Sequence, residues 1–333
     1  MKIKFFDVLM GLKADVIRSI RRPSNNPEIT HTLERLEGIS ASESEIEKLA
    51  APEVLRIQLP RPAVKVISVA PKTHFFQIID SNGRRKIAYT VSGDMSGNNI
   101  LLCLPGLLET KESFMVIHAY FLKFDNCKII SIDLSGRGES DNIDDHESYK
   151  MSLYLSDISR LIKELIGVKG KSTQKLTILG TSMGGVLAMY LTQVFGKKIY
   201  GILLNDIALT VNWTSLYALY KSMKNDLGFR EVRELAKDLS VDERAISDVQ
   251  LPGHFDLSYQ ADVWGMNFHE ALEGYNGKVG LIYGSDSKIC TKQRVEEAVT
   301  FMPHLKTLEV INAGHPAPFN LQVCEFIQLE MGV

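Results

Sequence analysis

The sequence predicts an α/β fold: a mostly parallel, eight-stranded sheet with helices on both faces and an inserted helical cap. Three observations predict it. From about His74 onward, short apolar runs alternate with segments of helical periodicity, the pattern of strands joined by crossover helices. At one strand-to-helix junction the chain reads Gly180-Thr181-Ser182-Met183-Gly184, with small residues on both sides of a serine. Between Ala208 and about Tyr275 the alternation stops, then resumes, as it would around an insertion between two core strands.

Each element has its own signal. Phe75 to Asp80 and Ile87 to Ser92, separated by Ser81-Asn82-Gly83, read as a hairpin of two edge strands. Asn99 to Leu104 is a continuous apolar strand, Thr110 to Phe124 is helical, and Lys128 to Leu134 is the next buried strand. Tyr149 to Ile166 places Leu153, Leu155, Ile158, Leu161, Ile162 and Leu165 on one helical face. Leu176 to Leu179 is the strand before the serine, Val186 to Leu191 lies in the helix after it, and Ile199 to Asn205 is the sixth strand. Val279 to Gly284, Gln293 to Phe301, Thr307 to Ile311 and Phe319 to Glu330 complete the alternation as strand, helix, strand and helix. The core therefore spans 73–206 and 276–333, with the cap at 207–275 and an N-terminal extension at 1–72.

The extension differs from the rest. Over Met1 to Arg22, Ile3, Phe6, Leu9, Met10, Val16, Ile17 and Ile20 recur at near-helical spacing beside six lysines and arginines. This is a basic amphipathic helix, suited to packing on the domain that follows or to peripheral contact with an anionic membrane. A stretch with Pro23, Pro27, Pro52, Pro60, Pro62 and Pro71 follows, a linker with no assignable chemistry.

Composition narrows the function classes. The 333 residues are 45% hydrophobic and 23% charged with a formal net charge of -2, so no global field recruits nucleic acid. Cys103, Cys127, Cys290 and Cys324 show no metal spacing. Two of them sit in apolar strands, which fits a reducing, cytoplasmic setting. No apolar run reaches the roughly 18 residues of a membrane span.

The junction at Ser182 carries chemistry. A turn this tight forces the serine into a strained backbone conformation, and side chains at 180 and 184 would collide where strand and helix converge. The hydroxyl then stands above a helix N-terminus whose free N–H groups can receive a developing oxyanion. Pro105-Gly106-Leu107 ends the third strand, and the N–H of Leu107 with that of Met183 makes a two-donor oxyanion hole. A serine hydroxyl needs a base, and His315, in the late turn Ala313-Gly314-His315-Pro316, follows the nucleophile, acid, histidine order. His146 and His304 read as solvated. Two carboxylates compete to orient the histidine: Asp206, ending the sixth strand, and Asp286, after the seventh. Asp133 and Arg137, in Asp133-Leu134-Ser135-Gly136-Arg137-Gly138-Glu139-Ser140, read as anchors of that loop.

Residues 75 to 320 resemble the α/β-hydrolase superfamily, and within it the capped, lipase-like esterases. The matching pieces are Leu102 through Leu107, Asp133 through Ser140, Gly180 through Gly185, Leu204-Asn205-Asp206-Ile207 and Ala313-Gly314-His315. The resemblance implies the α/β-hydrolase fold, Ser182 as nucleophile, His315 as base, and Leu107 and Met183 as backbone donors. Pro105 stands where many relatives have histidine, and Asp286 comes a residue or two before the acid of relatives that carry it after the seventh strand. Some esterases use the aspartate of the Asp-Ile element after strand six, which favours Asp206. Leu108, Trp213 and Trp264 are the candidate pocket residues.

The expectation is a serine hydrolase for a small-molecule carboxylic ester or thioester, with no metal or organic cofactor. Carbon–carbon bond hydrolysis of a ring-cleavage product, acyl transfer, and a hydrolase-fold binding or signalling module are the alternatives.

Overall fold

The computed structural model describes residues 72–81, 83–143, 149–165, 174–212, 215, 255–257, 259–261 and 265–333. The basic helix expected over 1–22, the proline-containing stretch after it, His146, Trp213, Trp264 and most of the expected cap lie outside these residues.

Eight strands form one sheet: β1 (Thr73–Asp80), β2 (Gly83–Gly93), β3 (Asn99–Leu104), β4 (Cys127–Ile132), β5 (Lys175–Thr181), β6 (Ile199–Asn205), β10 (Lys278–Gly284) and β11 (Lys306–Val310). Their order is β1-β2-β4-β3-β5-β6-β10-β11. Every pairing from β4 to β11 is parallel, whereas β2 runs antiparallel to both β1 and β4. This corrects one expectation, because of these two strands β1 alone is an edge and β2 is paired on both sides. The reason is visible in β2, where Ile87, Ala88 and Thr90 are buried.

The strands are near-continuous apolar runs because both faces of the sheet are covered. In β3, Leu101 and Cys103 face a layer made by Phe114, by α1 (Met115–Phe121) with Ile117 and Phe121, and by α5 (Leu321–Met331) with Val323 and Ile327. Ile100, Leu102 and Leu104 face the opposite layer, made by α2 (Met151–Leu165), α3 (Met183–Phe195) and α4 (Lys292–Phe301). Each fully buried leucine or isoleucine contributes about 1.5–3 kcal/mol of transfer free energy, so the alternation along β3 secures two helical layers at once. All four cysteines are buried and reduced. Among the described residues, no helix is long and apolar enough to cross a membrane.

Polar ties cross these layers. Arg85 of β2 is buried and holds both carboxylate oxygens of Asp80 at 2.8 and 2.9 Å, and it also pairs with Asp157 of α2. His118 of α1 is wedged between Ser92 Oγ of β2 at 2.6 Å and Ser131 Oγ of β4 at 2.9 Å.

The flanks of the stretch expected to be a helical cap contain strands instead. β7 (Thr210–Asn212), β8 (Gln260–Ala261) and β9 (Gly265–Asn267) form a small sheet in the order β7-β9-β8, antiparallel throughout. A 3-10 turn, His269–Leu272, leads from it back to the core.

Candidate active site

The turn between β5 and α3 positions the serine. Ser182 has φ 48° and ψ −113°, a left-handed conformation that a non-glycine residue adopts only where its surroundings enforce it. The enforcement is close packing: a Cβ at position 180 would lie 2.2 Å from Gly184 O, and one at 184 would lie 2.3 Å from Leu104 O. Ser182 is the N-cap residue of α3, yet its side chain makes no capping bond. The hydroxyl instead lies 3.0 Å from His315 Nε2.

His315 sits between β11 and α5, and its other ring nitrogen, Nδ1, is 2.7 Å from Asp206 Oδ2. Asp206 follows β6 directly, is fully buried, and has φ 59°. The backbone of Asp206 is anchored by its N–H to Ile282 O at 2.7 Å. Its Oδ1 accepts from Gly284 N at 3.1 Å and its Oδ2 accepts from Ser287 Oγ at 3.0 Å. Asp286 lies outside this chain of contacts: it is exposed, and its Oδ1 accepts from Ser285 Oγ at 3.1 Å. The structure therefore brings Ser182, His315 and Asp206 together and leaves Asp286 apart. Such an array can draw the hydroxyl proton onto the imidazole while the carboxylate faces the charge that forms there.

Asn205, beside Asp206, ties three parts of the site. Its carbonyl accepts from Ser182 N at 2.9 Å, and its Nδ2 donates to Ala317 O at 3.0 Å in the histidine loop.

Leu107 and Leu108 lie in the turn after β3, partly buried against the apolar cluster that also takes Met183. The turn closes through Glu109 N to Gly106 O at 3.3 Å, and Gly106 N donates to Glu109 Oε2 at 2.7 Å. Burial pushes the Glu109 carboxyl above its usual range, against the pull of the Gly106 N–H and of His315. Arg137, buried, donates from Nε to Leu107 O at 3.0 Å and from Nη1 to Tyr154 Oη at 3.0 Å. Asp133 accepts from Lys111 N, Lys111 Nζ and Glu139 N at 2.7, 2.9 and 2.9 Å. Both loop residues thus act as anchors, and Arg137 extends its anchorage to the turn carrying Leu107. Met183 N belongs to the first turn of α3, where N–H groups have no intrahelical acceptor.

Ser287, Glu109 and Asn205 were not singled out from the sequence. Ser287 left a faint signal, since it lies one residue beyond an aspartate that comes early in its loop.

Burial places a thiol next to this array without reactivity. Cys290 is fully buried, and desolvation together with the nearby Asp206 charge pushes its thiol well above the usual range.

Comparison with known proteins agrees with this architecture. Residues 99–231 match the family described as alpha/beta hydrolase fold. A 3-hydroxybutyrate-oligomer hydrolase from Cupriavidus necator is 23% identical over 290 residues, covering 76% of this chain and 94% of the relative. Among solved structures, a putative hydrolase from Rickettsia typhi is similar with a TM-score of 0.59 at 23% identity, covering 78% of this chain and 99% of that one. An alpha/beta hydrolase from Novosphingobium aromaticivorans gives a TM-score of 0.61 at 19% identity, over 80% and 99%. The sheet order, the strained serine between β5 and α3 and these similarities agree on one architecture: the chain has the α/β-hydrolase fold.

Proposed function

We propose that this protein is a serine hydrolase that cleaves a carboxylic ester or thioester through an acyl-enzyme on Ser182. The observation that carries the reading is the unbroken line from Ser182 Oγ to His315 Nε2 at 3.0 Å and from His315 Nδ1 to Asp206 Oδ2 at 2.7 Å. His315 takes the hydroxyl proton as Ser182 Oγ attacks the substrate carbonyl. The carbonyl oxygen gains negative charge, which the N–H groups of Leu107 and Met183 receive. Collapse breaks the bond to the leaving alcohol or thiol, which departs with the proton from His315. A water molecule then gives a proton to His315 and attacks the acyl carbonyl, releasing the acid and restoring Ser182. Asp206 keeps Nδ1 protonated and faces the imidazolium in both halves of the cycle.

The Cupriavidus necator relative, whose name specifies 3-hydroxybutyrate oligomers, supports esters of short hydroxy acids as the first substrates to try. The experiment is a fluorophosphonate labelling assay run beside hydrolysis of short p-nitrophenyl esters, 3-hydroxybutyrate oligoesters and acyl thioesters. Wild type becomes covalently labelled at Ser182 and loses activity in parallel, and Ser182→Ala does neither. Labelling that persists in Ser182→Ala would refute the assignment.

A further inference from the structure

Ser287 touches neither Ser182 nor His315, yet its hydroxyl occupies a defined place behind them. The side chain is 5% exposed, whereas its neighbours Ser285 and Asp286 are turned out to solvent. Its Oγ accepts the N–H of Cys290 at 3.0 Å and of Ile289 at 3.3 Å. A hydroxyl has two acceptor lone pairs and one proton. With both lone pairs engaged, the proton is left to point at Asp206 Oδ2, 3.0 Å away. That oxygen is the one facing His315 Nδ1.

We infer that Ser287 is a positioning residue that acts through Asp206 Oδ2, setting both the direction of the carboxylate and the proton affinity of His315. The inference rests on the triad reading above. A carboxylate oxygen that already accepts a hydroxyl proton presents less negative charge to the imidazole, so it stabilises the imidazolium less. The hydroxyl also gives Oδ2 a second fixed partner, while Gly284 N holds Oδ1. Without Ser287 the carboxylate loses one of its two side-chain partners, and the remaining pair with His315 carries more charge. The ring then holds its proton more tightly and becomes a free base only at higher pH.

Other groups act on the same array and stay constant in the comparison. Glu109 faces His315 from the turn after β3, and Cys290 lies beside Asp206, with Arg294 of α4 acting on that thiol in turn. Their side chains are the same in every variant. Ser287→Ala also removes the acceptor of the Ile289 and Cys290 N–H groups, whereas Ser287→Thr keeps both that acceptor and the donor to Asp206, so the alanine–threonine comparison isolates the hydroxyl.

The test is the second-order rate constant for fluorophosphonate labelling of Ser182 as a function of pH, for wild type, Ser287→Ala, Ser287→Cys and Ser287→Thr, each corrected for folded fraction by thermal melting. Ser287→Ala is expected to label about tenfold more slowly on the plateau, with the acid limb displaced upward by about half a pH unit. Ser287→Thr keeps the donor and should return both quantities towards wild type. Ser287→Cys fills the same space with a weaker donor and should fall between, which preserves the test if the alanine variant does not fold. A purely structural serine would lower the melting temperature and leave the acid limb in place. An acid limb in Ser287→Ala or Ser287→Cys that coincides with wild type would overturn the inference. Absence of labelling at Ser182 in wild type would instead remove the triad reading beneath it.

Discussion

At the scale of single residues, burial separates two aspartates that look alike on paper. Asp206 is sealed from solvent and meets His315, while Asp286, two positions beyond β10, is exposed. Asp206→Asn should lower kcat for ester hydrolysis by about 10⁴, whereas Asp286→Asn should stay within about twofold of wild type, because an exposed carboxylate contributes little. Steady-state kinetics on one p-nitrophenyl ester would decide, and equal losses in the two variants would contradict the geometry. Ser182 and His315 were legible in the sequence because local spacing marks them: paired glycines around the serine, a small-residue turn before the histidine. Ser287 was not, because its partner Asp206 is 81 residues away and only the pairing of β10 with β6 brings them together. Glu109 escaped for a different reason, since nothing in its composition foretells that its side chain folds back onto the N–H of Gly106.

Among the elements, α1 carries a buried ionisable group outside the site. His118 is 1% exposed between two serine hydroxyls, and burial pushes its imidazole down to about 4 from 6.5. Between those values the unfolded chain binds a proton that the folded chain refuses. Stability is therefore fully present above about pH 6.5 and is lost as pH falls towards 4. The loss between pH 7 and pH 5 should be about 2 kcal/mol, read from urea midpoints. His118→Gln should flatten that dependence, and an equal slope in both proteins would exclude His118 as its source. Elements were legible to within a few residues wherever a long apolar run or a helical face existed, as in β3 and α2. The β1–β2 hairpin was legible, but the edge status of its second strand was misread because two antiparallel strands look alike in sequence. Which of them gains a second partner depends on β4, more than thirty residues further along the chain.

Across the whole molecule, one buried cation joins distant parts of the N-terminal half. Lys111 is 2% exposed and bonds Asp133 after β4, which is fully buried, and also Glu139, whose Oε2 accepts from Thr73 Oγ1 at the start of β1. Lys111→Met should destabilise the fold by about 3–5 kcal/mol, since it strands the Asp133 carboxylate in the interior. Lys111→Met/Asp133→Asn should recover part of that loss in the same urea titration, and a double variant no more stable than the single one would argue against charge as the cause. The large sheet was legible as a whole because a parallel, doubly covered sheet writes itself as alternating apolar runs. The small sheet β7-β9-β8 was not, because strands of two or three residues are too short to show a period. Its register has a mechanical consequence. Asn212 and Gly265 are direct partners across β7 and β9, so the excursion between them leaves and re-enters at one rung of a ladder. β8 returns within that excursion to pair with β9, Ala261 against Met266, so a second rung holds its returning end. Such a clasp fixes both ends of the excursion on the core that keeps Ser182, His315 and Asp206 in place.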